Sequence, residues 1–242
     1  VTLHFSTRDG GVSKGIYSSM NFSFDRGDDY ENVYKNYELF LDTMNIKPEN
    51  CVCTKQTHTT NVVVVDETNY GKTMPETDGM ITNVPGLCLV TFYADCVPLY
   101  FVDPVKRVIG LSHSGWRGTV HKMAIATVRK MQETFGCDPV DIRSVVGPSI
   151  CQECYEVSED VIDEFRANYK ETDWDSLFYR KENGKYQLDL WRANEINLLD
   201  AGVKAEHMAV TNVCTCCNHE LLFSHRASHG QRGNLGAFLG LK

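Results

Sequence analysis

The stretch between residues 51 and 112 constrains this chain most. Val62–Val65, Leu87–Tyr93, Leu99–Val102 and Val108–Leu111 are short apolar or β-branched runs bounded by turn residues, the mark of buried strands. They follow one another with no helical stretch between them. Parallel neighbours need long crossover connections, usually helical, so consecutive strands of this kind favour mixed or antiparallel sheets over an alternating parallel one. Ile142–Val146 and Met208–Val213 add two more strand-like runs.

Helical periodicity lies outside this block. Val33, Tyr37, Phe40, Leu41 and Met44 recur at helical spacing from Tyr30 to Met44, with Asp28 and Asp29 placed to cap the start. Val120, Met123, Ala124, Val128, Met131 and Phe135 form a second stripe, stopped by Gly136. Ser158 is placed to cap a third helix, and a fourth runs from about Leu190 to Ala201 before Gly202. The expected architecture is therefore α+β, with mixed sheets flanked by helices in a layered single domain spanning residues 1–242. The polar stretch Lys170–Lys185 reads as an insertion or loop upon it.

Charge and cysteine usage narrow the function. The 24 basic and 32 acidic residues give a net charge of −8, which argues against binding nucleic acid or an anionic lipid surface. No apolar run approaches a membrane span, and the opening Val1-Thr2-Leu3-His4-Phe5 lacks the features of a secretory signal. The absence of a starting Met leaves room for an upstream segment. Ten cysteines in a chain this large fit reduced thiols better than a disulfide framework, so a cytoplasmic protein is expected, and a monomer.

Two stretches carry the candidate chemistry. Ala94-Asp95-Cys96-Val97-Pro98 and Leu111-Ser112-His113-Ser114-Gly115-Trp116-Arg117-Gly118 flank strand-like runs joined by Asp103-Pro104-Val105-Lys106. A hairpin symmetric about that turn, with Asp103 facing Lys106, sets Cys96 opposite His113, near enough to share a metal ion or a proton. His58, in Thr54-Lys55-Gln56-Thr57-His58, supplies a third ligand. One Cys and two His suit zinc with a fourth position open, and such a site lowers the pKa of bound water. The plainer alternative is that both histidines only hydrogen-bond in loops and Cys96 is one more buried thiol.

Other candidates are individually weaker. Gly115 and Gly118 before the second helix, with Arg117, suit a phosphate or carboxylate; a glycine-rich helix entry with a solvated Arg looks the same. Asp95 either orients a ligand or satisfies backbone donors in a tight turn. Asp78 and Glu156 are candidate acid/base groups, although Asp78-Gly79 also fits a simple turn. Arg8, Arg117, Arg226 and Arg232 are candidate phosphate ligands, with surface turns and tails the alternative. Cys151-Gln152-Glu153-Cys154 and Cys214-Thr215-Cys216-Cys217 each hold a C-x-x-C spacing. Together they would make a four-thiolate zinc site, although the gap between them is long and His219, His225 and His229 offer competing ligands; free thiols are the alternative.

These stretches, with Phe5-Ser6-Thr7-Arg8-Asp9-Gly10-Gly11-Val12-Ser13, Gln56-Thr57-His58, Thr77-Asp78-Gly79, Gly147-Pro148-Ser149-Ile150, Cys154-Tyr155-Glu156-Val157 and Leu222-Phe223-Ser224-His225-Arg226, resemble the YfiH-like, laccase-domain family, also called multicopper polyphenol oxidoreductases. The combination of A-D-C-x-P with H-x-G-W-R-G carries the resemblance. It departs in the tail, where His225 and Ala227 replace a Tyr and a second Arg often seen in the family, which leaves the role of Arg226 open.

The resemblance implies a zinc site of His58, Cys96 and His113. It also implies phosphorolysis of adenosine, inosine and methylthioadenosine to a base and a sugar 1-phosphate, with adenosine deamination as a side activity. Catalytic roles then fall to Cys96, His113, Asp95 and Arg117, and purine nucleosides and phosphate are the expected partners. Two alternatives accompany it: copper-dependent phenol oxidation with Cu2+ in place of Zn2+, and a metal-free hydrolase in which His113 deprotonates Cys96. Eight histidines with no H-x-H pair are few for a multicopper centre. A non-enzymatic scaffold holding a structural metal clip is the remaining class.

Overall fold

The computed structural model describes all 242 residues. In chain order the elements are β1 (Thr2–Phe5), α1 (Tyr30–Asp42), β2 (Cys51–Thr54), β3 (Val62–Val64), β4 (Thr73–Met74), β5 (Gly79–Thr82), β6 (Cys88–Tyr93), β7 (Val97–Asp103) and β8 (Val108–Ser114). There follow α2 (Trp116–Val120), α3 (Met123–Phe135), β9 (Arg143–Val146), β10 (Glu156–Val157), α4 (Glu159–Asn168), α5 (Trp174–Leu177), β11 (Phe178–Arg180), β12 (Tyr186–Leu188), α6 (Leu190–Asp200), β13 (Met208–Val210) and β14 (Leu235–Gly240).

The strands form two large mixed sheets, ordered β13-β9-β7-β8-β5-β3 and β1-β14-β6-β2-β4, and a small sheet β10-β12-β11. Alternation along the strands explains the layering. In β7, Leu99 and Phe101 point to one core with α3, α4 and α6, while Tyr100 points to a second core shared with Val52, Leu89 and Leu239 of the other sheet. In β6, Leu89 faces that shared core and Val90 faces a third, beneath Val33, Tyr37 and Leu41 of α1. The order is helix, sheet, sheet, helices, which is the α+β arrangement expected. No helix is long and apolar enough to cross a membrane.

Several details correct the sequence reading. The β7–β8 hairpin pairs Asp103 with Val108, not Lys106, and Pro98 with His113. Its loop holds four residues because the Asp103 carboxylate accepts the Val105 and Lys106 N–H groups at 2.8 and 2.9 Å, and Arg107 turns into the left-handed region at φ 55°. Cys96 therefore lies just beyond the ladder and diagonal to His113 rather than opposite it. The second helix is broken: Lys122 at φ 68° separates α2 from α3. That removes the long helix entry expected after Gly115 and Gly118, leaving a single short turn of helix. Ser158 occupies the cap position of α4, but its hydroxyl bonds the Asp160 carboxylate instead of the backbone. Lys170–Lys185 is not featureless, since it contains α5 and β11 of the small sheet.

Candidate active site

Three chain segments meet where the two large sheets adjoin. His58 lies in the loop after β2, Cys96 in the turn between β6 and β7, and His113 near the end of β8. One ligand atom from each lies within 4.8 Å of the others, and the two imidazoles meet edge to face with centroids 4.8 Å apart. His113 is 3% exposed, Cys96 is half-buried and His58 is open.

Asp78 organises this cluster. It stands one residue before β5, and continuing the β5–β8 register sets it opposite His113. The His113 N–H donates to the Asp78 carbonyl at 2.7 Å, and His113 Nδ1 lies 2.9 Å from Asp78 Oδ1. The same fully buried carboxylate accepts the backbone N–H groups of Thr57, His58 and Thr59 at 2.9–3.0 Å, and both threonine hydroxyls. One side chain thus fixes the loop that presents His58, which is held in the left-handed region at φ 59°, and the tautomer that leaves His113 Nε2 for the cluster. Non-glycine residues in that region persist only when surrounding contacts hold them there.

The electrostatics follow from this packing. Burial opposes charge on Asp78, but hydrogen bonds from His113 and the loop N–H groups overcome it and hold the carboxyl well below its ordinary range. Burial likewise opposes protonation of His113, yet the Cys96 sulfur and Asp78 push it up to about 9. His58 is shifted down, by burial and then by His113, which favours the neutral imidazole that binds metal. Two imidazoles, one thiol and a carboxylate behind one imidazole form a donor set suited to a transition-metal ion.

Gly115 is required here for space. A Cβ at this position would stand 2.9 Å from His58 Nδ1 and 3.1 Å from Cys96 Sγ. Gly115→Ala is expected to push both donors apart and weaken binding of a metal ion at this cluster about tenfold, in the range of changes just outside a metal's ligands; competition with a chromophoric chelator measures this.

Other expected site residues are placed differently. Asp95 gives one carboxylate oxygen to the Thr215 hydroxyl and the other to the Arg226 N–H, both at 2.7 Å; it braces loops rather than facing the cluster. Arg226 donates to the Cys154 and Glu156 carbonyls, and Arg8 to those of Ser18 and His219. Neither guanidinium is aimed at the cluster. Arg117 is exposed and stacked on Trp116, and it lies near enough to the cluster for its charge to add to the downward shift of His58. The Glu156 carboxylate is paired with Lys181 and Lys185.

A cavity of about 630 Å³ opens over His58, Cys96 and His113, and its wall includes Arg26, Lys55, Phe24, Phe92 and Arg232. Burial lowers the Arg232 guanidinium to about 10, with Arg26 adding to the shift, and its buried Nε has no partner. Arg232 is a candidate from the sequence alone, whereas no motif marks Arg26 or Lys55, and only the folded cavity groups the three.

The sequence matches the family described as "Multi-copper polyphenol oxidoreductase laccase" over residues 2–242. It is 36% identical to the purine nucleoside phosphorylase YlmD of Bacillus subtilis strain 168, over all of this chain and 89% of that one. It is 32% identical to the adenosine deaminase RL5 of an unknown prokaryotic organism, over 92% and 87% of the two chains. The crystal structure of YlmD from Geobacillus stearothermophilus superposes with a TM-score of 0.96 at 34% identity, covering 100% of this chain and 92% of that one. With its fold, its motifs and its full length all matched, this chain belongs to the multi-copper polyphenol oxidoreductase laccase family.

Proposed function

We propose that this protein is a zinc-dependent purine nucleoside phosphorylase acting on adenosine, inosine and methylthioadenosine, with adenosine deamination as a side activity. The observation that carries this reading is the cavity itself: a Cys–His–His cluster at one side and cationic side chains on the wall. The names of the relatives point the same way.

His58, Cys96 and His113 would hold the ion, which when bound supplies a Lewis acid able to polarise oxygen and activate water. Asp78 keeps His113 oriented and its second nitrogen free. Phe24 and Phe92 offer flat apolar surface for a purine, and stacking of this kind is worth about 1–3 kcal/mol per base. Arg232 and Arg26 repel one another across the wall, and an anion between them relieves that repulsion. Phosphate held there can form its O–C1′ bond as the C1′–N9 bond breaks and the purine departs with the electron pair. Zinc is favoured over a multicopper set because only two groups of three or more His, Cys, Asp or Glu ligands come together, and the second has no histidine.

One observation supports a second reading. Cys96, His113 and Asp78 form a nucleophile–base–orienter chain of the kind found in metal-free cysteine hydrolases. That reading leaves His58 without a task, so it ranks second.

Zinc-loaded protein is expected to release hypoxanthine from inosine only when phosphate is present, with ribose 1-phosphate as co-product. Arg232→Gln should raise the KM for phosphate about 10- to 100-fold, as loss of a charge-assisted hydrogen bond implies. Equal release without phosphate, or turnover undiminished by chelation, would overturn the phosphorylase reading, and the latter outcome favours the hydrolase.

A further inference from the structure

A second cysteine-rich cluster lies outside the cavity. Cys151 precedes and Cys154 ends a single turn, Gln152–Cys154, of tight helix; Cys214 precedes another turn in the C-terminal segment, and Cys217 lies within it. The four sulfurs all lie within 4.8 Å of one another. We infer that Cys151, Cys154, Cys214 and Cys217 bind one structural zinc ion, separate from the candidate active site.

The spacing supports a single tetrahedral ion. Zinc–thiolate bonds of ~2.3 Å imply sulfur–sulfur edges of ~3.8 Å. Cys151 Sγ lies 3.9 Å from Cys217 Sγ, and Cys154 Sγ lies 3.5 Å from it. Those distances are too long for the ~2.05 Å of a disulfide. They are too short for a multi-iron cluster, in which inorganic sulfide and several irons stand between the thiolates.

The backbone is arranged for thiolate charge. The N–H groups of Cys151 and Cys217 both donate to Cys214 Sγ at 3.3 Å. A reduced core thiol needs no such donors, and a merely apolar cluster would not leave Cys217 exposed. Four protein sulfurs fill the coordination sphere, so the centre is structural rather than catalytic. On binding, M2+ replaces the thiol protons, leaving a four-thiolate site of net charge −2.

The two segments that the ion would join also hold the turn before Cys96. Ser149 and Cys214 form a parallel bridge. The Ile150 N–H donates to the Asp95 carbonyl, while Thr215 and the Arg226 N–H hold the Asp95 carboxylate. Arg226 also donates to the Cys154 carbonyl at 3.0 Å. Losing the ion loosens both segments and, through Asp95, the backbone that aims Cys96.

Cobalt(II) substitution and metal analysis test this without reference to catalysis. Full-length protein bearing His58→Ala and Cys96→Ala, which lacks the first cluster, is expected to retain one equivalent of zinc per chain. With Co(II) it should give the intense visible absorption and sulfur-to-metal charge transfer of a four-thiolate centre. Adding Cys154→Ser and Cys217→Ser should remove both signals, while Cys216→Ser should leave them intact. Should the quadruple variant fail to fold, the Co(II) spectrum of the double variant decides alone. Absence of metal from the double variant, iron in place of zinc, or disulfides in freshly purified reduced protein would overturn the assignment. None of these outcomes bears on phosphorolysis, so the two readings fail separately.

Discussion

If the protein is a zinc-dependent phosphorylase as proposed, Cys96→Ala loses one equivalent of bound zinc and at least about 10³-fold in phosphorolysis, the several kcal/mol of transition-state stabilisation that a metal centre provides. The thiol is the one sulfur of its cluster, and two imidazoles alone hold an ion poorly. The variant should fold, because the surrounding core of Tyr93, Leu111 and Leu235 is unaffected. Metal content, turnover and a melting curve on the same preparation check all three points. Full turnover in Cys96→Ala protein that has lost that equivalent would refute the metal-centred reading.

Asp78→Asn should strongly destabilise the fold. The carboxylate accepts three backbone N–H groups, two hydroxyls and the His113 ring. An amide in its place sets an NH2 group against donors. Breaking a buried charged pair on one side costs about 3–5 kcal/mol, and affinity for a metal ion at the cluster should fall about 10- to 100-fold with the loss of His113 orientation.

The pH dependence has a definite sign. The Asp78 carboxyl is depressed by folding, so its contribution is complete above the unfolded-state value of ~3.9 and is lost as pH falls below it. Denaturant melts of chelated protein should therefore show wild type and Asp78→Asn far apart at neutral pH and converging as acid is added below about pH 4. A gap that stays constant down to pH 2 would show that Asp78 acts by packing alone.

How much of this was legible in the sequence depends on the kind of interaction. The layered α+β plan followed from hydrophobic periodicity, since strands and helices are read directly from which positions are apolar. Cys96 and His113 were brought to neighbouring positions despite a register error, because the pairing slipped by two residues and an even slip keeps side chains on the same face. The error itself came from the turn: nothing local announces that Asp103 will bond two N–H groups and enlarge the loop.

Asp78 was underrated because β5 is only four residues long and offers no alternation. Its role depends on lying across from His113, a long-range fact. Arg8 and Arg226 were overrated for the converse reason: composition shows a cation but not the carbonyls that occupy it. The Lys122 kink that divides α2 from α3 was equally invisible, since the apolar stripe runs through it unbroken.

The pairing of β1 with β14 has a consequence for biosynthesis. β14, at residues 235–240, lies between β1 and β6 and is hydrogen-bonded to both. Until β14 emerges from the ribosome, β1, made long before it, has no partner and one edge of β6 stays bare to other nascent chains. Arg232, three residues ahead of β14, arrives at the cavity wall equally late. That part of the cavity wall is thus made only after β1 to β13, and a chain cut before Arg232 would lack it and leave a sticky β edge exposed.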